Sequence, residues 1–310
     1  MLEKTGLTVI VAIVGATGSG KSELALQLAE RIVATGAGSQ IVNADSFSLY
    51  RGLDIGTAKT LDTRGVPHSQ IDVLDIEQPA SVAAYQRHAR LDVEMISAVG
   101  DTPIVVGGSG LYVRALLDEI DFPGTDPQVR ARLERELSEV GAFTLHQRLA
   151  DADPLSAERI PVENTRRVVR ALEVIEISGR PFSAQLPEYR YHWPDTVQVG
   201  LRIPPDELAS RIELRTVKMW EAGWADEVSA LLSRGFPNTP TASKATGYAE
   251  VAAYLRGEMS EGEAIAEISR LTIKLAKKQV KWFSRDRRII WVNDYPTAFA
   301  ELSKRGLFPL

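Results

Sequence analysis

The chain contains no cysteine, which excludes disulfides, thiolate zinc sites and a cysteine nucleophile together. Histidine is almost as scarce. His68, His88, His146 and His192 lie far apart without ligand-like spacing, so no transition-metal centre is expected. Long apolar runs are missing too: the longest early one, residues 7–14, is too short to span a membrane and breaks at Gly15. No signal-type segment precedes it, so a cytoplasmic protein with no membrane partner is expected, with a monomer as the default. Nor is there an excess of positive charge, since 36 Lys and Arg stand against 41 Asp and Glu, a net charge of −5. That average argues mildly against a nucleic-acid partner, whose phosphates need basic contacts, but it says nothing of clustering. No internal repeat or low-complexity linker interrupts the chain. What is present is 310 residues, 44% apolar and 25% charged, enough for a core domain carrying a second lobe.

Short β-branched apolar runs at 7–14, 40–44, 102–106, 196–203 and 288–292 end in glycine or polar residues, as buried parallel strands do. Helical periodicity separates them, beginning with "KSELALQLAERIVA". The pattern predicts a doubly wound parallel α/β sheet, and the glycine-rich "GATGSGKS" after its first run makes the expected type P-loop NTPase-like. Between the third and fourth runs the character changes to two long, charged, strand-free helical stretches. "TDP" and Asn164 or Thr165 are their start signals, and Gly179-Arg180-Pro181 is a stop. The expected organisation is a core over 1–120 and 196–310 with an inserted all-helical lobe over 121–195.

The most specific local motif is Gly15-Ala16-Thr17-Gly18-Ser19-Gly20-Lys21-Ser22, which fits G-x-x-x-x-G-K-[ST] between a strand and a helix. Its glycines let backbone amides turn onto phosphate oxygens, Lys21 adds a point charge, and Ser22 offers a hydroxyl to Mg²⁺. "QIVNAD" carries Asp45 to the same sheet edge, where it can bind Mg²⁺, accept a proton or cap the next turn; spacing does not separate these roles. The charges of "RGLDIGTAK" that follow, Arg51, Asp54 and Lys59, read as solvated. The 102–106 run ends in "GGSG", placing Ser109 at its mouth with no acid. Asp45 and Asp294 are then the candidates for the acid that a hydrolase carries at a strand end, and neither is compelling. Transfer is therefore favoured over hydrolysis. Near the C-terminus, Arg270, Lys274, Lys277, Lys278, Lys281 and Arg285 fall within one arc of roughly 100° at helical spacing. Arg211, Arg215 and Lys218 form a second such set, and Arg166 with Arg170 a third. One-sided basic faces on an acidic protein point to a polyanion, although a solvated face is the simpler reading.

Taken in order, "GATGSGKS", "NADSFSLYRGLDIGTAK", "GGSGLYVRALL", "RRVVRALEV", "RIELRTVKMWEAGWADEV", "ATGYAEV" and "LAKKQVKWF" resemble the tRNA dimethylallyltransferase family over nearly the whole chain. The resemblance implies transfer of an isopentenyl group from dimethylallyl diphosphate to N6 of the adenosine 3′ of the anticodon (position 37) in tRNA. Diphosphate would be the leaving group and Mg²⁺ the cofactor. Asp45 matches the family's general base. Ser109, where a threonine is common, and Arg215 match groups near the diphosphate, which residues 15–22 hold. Ser46, Phe47 and Ser48, with Asp45, match the wall around the target adenosine. Arg130 and the segment Arg166, Arg167, Val168, Val169, Arg170 match tRNA contacts, and Lys274, Lys277, Lys278 and Lys281 would meet stem phosphates. The chain departs from common family residues at Ser48, Ser69, Lys244 and Lys278. Residues 7–50 alone also suit a P-loop small-molecule kinase that binds ATP, or isopentenyl transfer to free adenine nucleotides. A non-catalytic RNA-binding protein is disfavoured by the intact Lys21 and Asp45.

Overall fold

The computed structural model describes residues 9–182 and 189–308. The first half of the 7–14 run therefore lies partly outside the described residues. The chain divides into two compact units, Met1–Leu117 with Trp193–Leu310, and Asp118–His192.

The larger unit opens with β1 (Ile10–Gly15), α1 (Lys21–Ala34), β2 (Ser39–Asn43), β3 (His68–Ser69), α2 (Val82–Ala98), β4 (Thr102–Gly107) and α3 (Gly110–Leu117). The smaller unit contributes α4 (Pro127–Ala152), α5 (Pro154–Arg159) and α6 (Thr165–Ser178). The larger unit then resumes with β5 (Thr196–Leu201), α7 (Pro205–Glu221), α8 (Trp224–Ser233), α9 (Tyr248–Leu255), α10 (Glu261–Phe283), β6 (Ile290–Val292) and α11 (Tyr295–Ser303). Its six strands form one sheet in the order β3-β2-β4-β1-β5-β6, and every pairing is parallel. β1 is central, and all six of its residues are buried. That explains why its sequence is a continuous apolar run and not an alternating one. Leu24, Leu28 and Ile32 of α1 are buried against the sheet, each worth roughly 1.5–3 kcal/mol of apolar transfer. Because all strands run the same way, the loops after β1, β2 and β4 leave from one edge, where ligands of such sheets sit.

Several expectations need correction. β3 is a two-residue edge strand that no hydrophobic run announces. β6 starts at Ile290, because the Arg288 guanidinium folds back onto the Asp286 carboxylate and keeps that stretch in a turn. Among its described residues the smaller unit holds three α-helices where two were expected. The first is broken at Gly141, whose φ of 81° leaves the helical region, and it stops at Asp153. Asp153 then caps α5, accepting from the Ser156 N–H at 3.1 Å, with Pro154 at the first helical position. Asp126 of "TDP" does cap α4, accepting from the N–H of Gln128 and of Val129. α10 begins with a reciprocal Ser260–Glu263 capping box and ends at Phe283. Arg285 consequently lies beyond the helix and is not part of its basic face. Among the described residues no helix is long and apolar enough to cross a membrane.

Candidate active site

The loop from Gly15 to Lys21 is shaped by its glycines. Gly18 and Gly20 have φ of 81° and 94°, a region that costs side-chain-bearing residues energy, and Gly20 forms the N-cap of α1 without a side-chain bond. A Cβ on Gly20 would also collide with the Tyr295 hydroxyl, which donates to the Gly20 carbonyl at 2.8 Å. Ala16 packs with Leu208 and Ile212 of α7 and Ala276 of α10, so two late helices brace the loop.

Thr17, Gly18, Gly20, Lys21 and Ser22 line a cavity of about 310 Å³ together with Asp45, Ser48 and Arg215. Burial pushes the Lys21 ammonium pKa down from 10.5 to about 8; nearby Asp45 opposes this and Arg215 adds to it. Arg215, on α7, donates from Nη2 to Thr17 Oγ1 at 2.6 Å, and burial lowers its pKa as well, against the pull of Asp45. A carboxylate and two desolvated cations thus share one small space, which stores an affinity for added negative charge. α7 splits the basic set of Arg211, Arg215 and Lys218. Arg211 pairs with Glu207 and Lys218 is exposed, while Arg215 turns inward.

Asp45 both caps and remains available. Its Oδ1 accepts the Phe47 N–H at 3.0 Å, its own N–H is held by Asn43 Oδ1 at 3.1 Å, and Oδ2 has no protein partner among the described residues. Ser109 Oγ accepts the Ser46 N–H at 3.2 Å and lies 3.3 Å from Ser46 Oγ, joining the ends of β2 and β4. Phe47 packs on the core around Trp224 and Tyr248. Asp294 has a different task from the one considered for it: it caps α11, accepting the Thr297 N–H at 2.7 Å.

Of the "RGLDIGTAK" charges, Arg51 is exposed and Asp54 partly exposed, as expected, and the correction concerns the third. Lys59 is buried. Its Nζ donates to the Tyr50 carbonyl at 2.9 Å and to Asp72 at 2.6 Å, and it pairs with Asp54. Glu227 of α8 accepts the N–H groups of Asp54, Ile55 and Gly56 and the Tyr248 hydroxyl. Thr57 and Ala58 between these two anchors, and Thr60 just past Lys59, form a wall of the same cavity, with His68 from β3. His68 Nδ1 lies 2.8 Å from the Val66 carbonyl, and burial lowers the pKa of the ring. Sequence reasoning missed Lys59, Glu227 and His68 as site residues. Lys59 sits in a quoted motif, but Glu227 meets the loop only across some 170 positions of sequence and carries no local signal.

In the smaller unit, Glu173 is fully buried and accepts from the Asp126 N–H, Arg130 and Arg170. Burial raises its pKa, but the hydrogen bonds and charges of the two arginines outweigh this and leave it below the ordinary value. Arg170 also donates to the carbonyls of Pro123 and Gly124. Val168 and Val169 are core side chains of this unit. Buried there, they offer no side-chain surface to an RNA, while Arg166 and Arg167 are the exposed cations of the segment. On α10, Lys274, Lys277, Lys278 and Lys281 are exposed, whereas Arg270 is paired with Glu267 at 2.6 Å. Among the described residues no group of three or more His, Asp or Glu side chains is arranged to hold a metal.

An all-parallel sheet with a glycine-rich loop, a lysine and an arginine at its C-terminal edge defines a doubly wound α/β protein of the P-loop NTPase-like fold. Comparison with known proteins narrows the class. The IPP transferase family model matches residues 48–286. A tRNA dimethylallyltransferase of Thermobifida fusca is 52% identical over 288 residues, spanning 92% of this chain and 90% of its own. One from Clavibacter sepedonicus is 50% identical over 281 residues, spanning 90% of this chain and 91% of its own. The crystal structure of the tRNA isopentenylpyrophosphate transferase of Bacillus halodurans superposes with a TM-score of 0.67 at 34% identity, covering 97% of this chain and 96% of that one. A eukaryotic dimethylallyltransferase acting on tRNA shares the fold, with a TM-score of 0.78 at 24% identity over 96% of this chain and 77% of that one. The chain belongs to the IPP transferase family.

Proposed function

We propose that the protein is a tRNA dimethylallyltransferase, moving the dimethylallyl group of dimethylallyl diphosphate to N6 of the adenosine 3′ of the anticodon. The observation that carries this reading is the convergence of Lys21, Arg215, Ser22 and Asp45 on one cavity, in a chain of this family. The diphosphate sits against the loop amides, Lys21 and Arg215. Charge that develops on its bridging oxygen as the allylic C–O bond breaks is met by groups already in place. The adenine N6 forms the new C–N bond and gives up a proton, which Asp45 accepts on the oxygen that its own turn leaves unused. Diphosphate is released. The exposed Ser22 hydroxyl, on the first turn of α1 and in the cavity lining, is a hard oxygen donor and would hold Mg²⁺. When bound, that ion supplies further positive charge to the leaving group. The target base is stacked in the anticodon loop and must be turned out to reach the cavity. Arg166, Arg167 and the α10 lysines supply phosphate contacts for the RNA.

The test uses purified protein, Mg²⁺ and an unmodified tRNA bearing adenosine beside its anticodon, with either dimethylallyl diphosphate or ATP. Digested nucleosides are read by mass spectrometry. An adenosine heavier by one isopentenyl group, only with the allylic diphosphate, is expected. No such product, with ATP consumed once small acceptors are supplied, would replace the reading with a kinase.

A further inference from the structure

Helix α10 presents two unlike faces. Lys274, Lys277, Lys278 and Lys281 point to solvent, while Gln279, about 150° away at ~100° per residue, is turned into the protein. Its Oε1 accepts the Thr17 N–H at 2.8 Å, and its Nε2 donates to the Gly108 carbonyl at 3.0 Å. One side chain therefore ties the middle of the glycine-rich loop to the end of β4. Thr17 is held a second time through Oγ1, by Arg215 from α7. Gly108 makes the approach possible: a Cβ there would stand 2.7 Å from Gln279 Nε2 and 3.4 Å from Lys21 Nζ. The amide thus lies on the same few ångströms of backbone as the loop lysine.

A carboxamide is suited to this spot by chemistry. It takes an N–H and serves a C=O at once, whereas glutamate lacks the donor, lysine the acceptor and methionine both. A position needed only for packing carries no such requirement.

We infer that Gln279 is a positioning residue of the diphosphate seat, fixing the Thr17 peptide so that the rest of the loop meets the diphosphate already formed. The inference rests on the proposed function above. The loop spans several glycines, and each has more conformations to lose than another residue would. An anchor from α10 removes that loss before the ligand arrives, which shows as affinity for the anion.

Two full-length variants test it, Gln279→Met, which keeps the length of the side chain, and Gln279→Glu, which keeps an acceptor for Thr17 but loses the donor and adds a negative charge beside the seat. Binding of Mg²⁺ with inorganic diphosphate is measured by calorimetry, alongside Tm, tRNA affinity, and kcat and KM for dimethylallyl diphosphate. Loss of two neutral hydrogen bonds predicts about tenfold weaker diphosphate binding and a matching rise in KM for Gln279→Met, with tRNA affinity held within about twofold. Gln279→Glu is expected to bind diphosphate more weakly still. Wild-type diphosphate affinity in Gln279→Met overturns the inference, and so does a loss shared equally by tRNA affinity and Tm, which marks a packing role. Should the wild-type protein itself fail to bind diphosphate, with Lys21→Met no different, the proposed function falls and the inference with it.

Discussion

Asp45 shows how one residue serves its own turn and a reaction together. Oδ1 is committed to the Phe47 N–H, and that bond sets the direction of the carboxylate without consuming both oxygens. Asp45→Asn preserves the turn, since the amide oxygen still accepts from Phe47, but cannot take a proton. Turnover is expected to fall by about 10²–10⁴-fold with diphosphate affinity retained, as single-turnover kinetics and calorimetry would report. Lys21 makes a different prediction. With its pKa held near 8, it is partly neutral in the free protein at pH 8.5, and an arriving diphosphate favours the charged form. Binding at pH 8.5 should therefore take up a proton at Lys21, read as a buffer-dependent binding enthalpy that Lys21→Met removes and that fades below pH 7. The same shift affects folding. Between about pH 8 and 10.5 the unfolded chain holds this proton more firmly than the native one, so through Lys21 alone the native state gains stability as pH rises across that window.

At the scale of elements, the cavity wall after β2 is an irregular segment held by side chains and not by a ladder. Lys59 fastens it from within and Glu227 from α8 caps three of its backbone N–H groups. Removing the buried cation deprives Asp54, Asp72 and the Tyr50 carbonyl of their shared donor. Lys59→Met is expected to raise KM for the allylic substrate several-fold and to destabilise the larger unit by about 1–3 kcal/mol, measured by denaturant unfolding. The helical unit has a comparable knot in Glu173, where one buried carboxylate serves α4, α6 and, through Arg170, the Pro123–Gly124 segment. Glu173→Ala leaves two partly solvated arginines without their shared acceptor, with an expected cost of about 1–3 kcal/mol in the unfolding of that unit. The sequence announced α1 through its amphipathic periodicity, and most of β1, β2, β4 and β5 because burial on both faces writes a largely apolar run. β3 stayed invisible because two residues write no pattern, and the break at Gly141 because a charged amphipathic stretch reads the same on either side of it.

For the whole molecule, an acidic chain must hold a polyanion through local clusters. The exposed α10 lysines are such a cluster, although the pairing of Arg270 with Glu267 and the end of the helix before Arg285 reduce it from six cations to four. Replacing Lys277 and Lys281 by glutamine should weaken tRNA binding and lower the slope of log K against log salt by about 1–2, measured by titration at several salt concentrations. An unchanged slope would return that face to solvent. Diphosphate binding is expected to be untouched, because these lysines lie across the helix from the loop.

Local chemistry sufficed for what is local. The order of buried strands, the loop with its lysine and the carboxylate at the end of β2 follow from periodicity and from the few residues able to adopt their backbone shapes. The parallel sheet then brings those ends to one edge, because strands that run the same way finish on the same side. What the tertiary structure alone decided is which charges are spent and which are free. Lys59 and Glu173 are buried and paired, Arg215 turns in while Arg211 and Lys218 stay out, and Gln279 crosses some 260 positions of sequence to reach Thr17. A charged or polar letter carries no record of its desolvation. That is set by neighbours brought together only when the chain is folded.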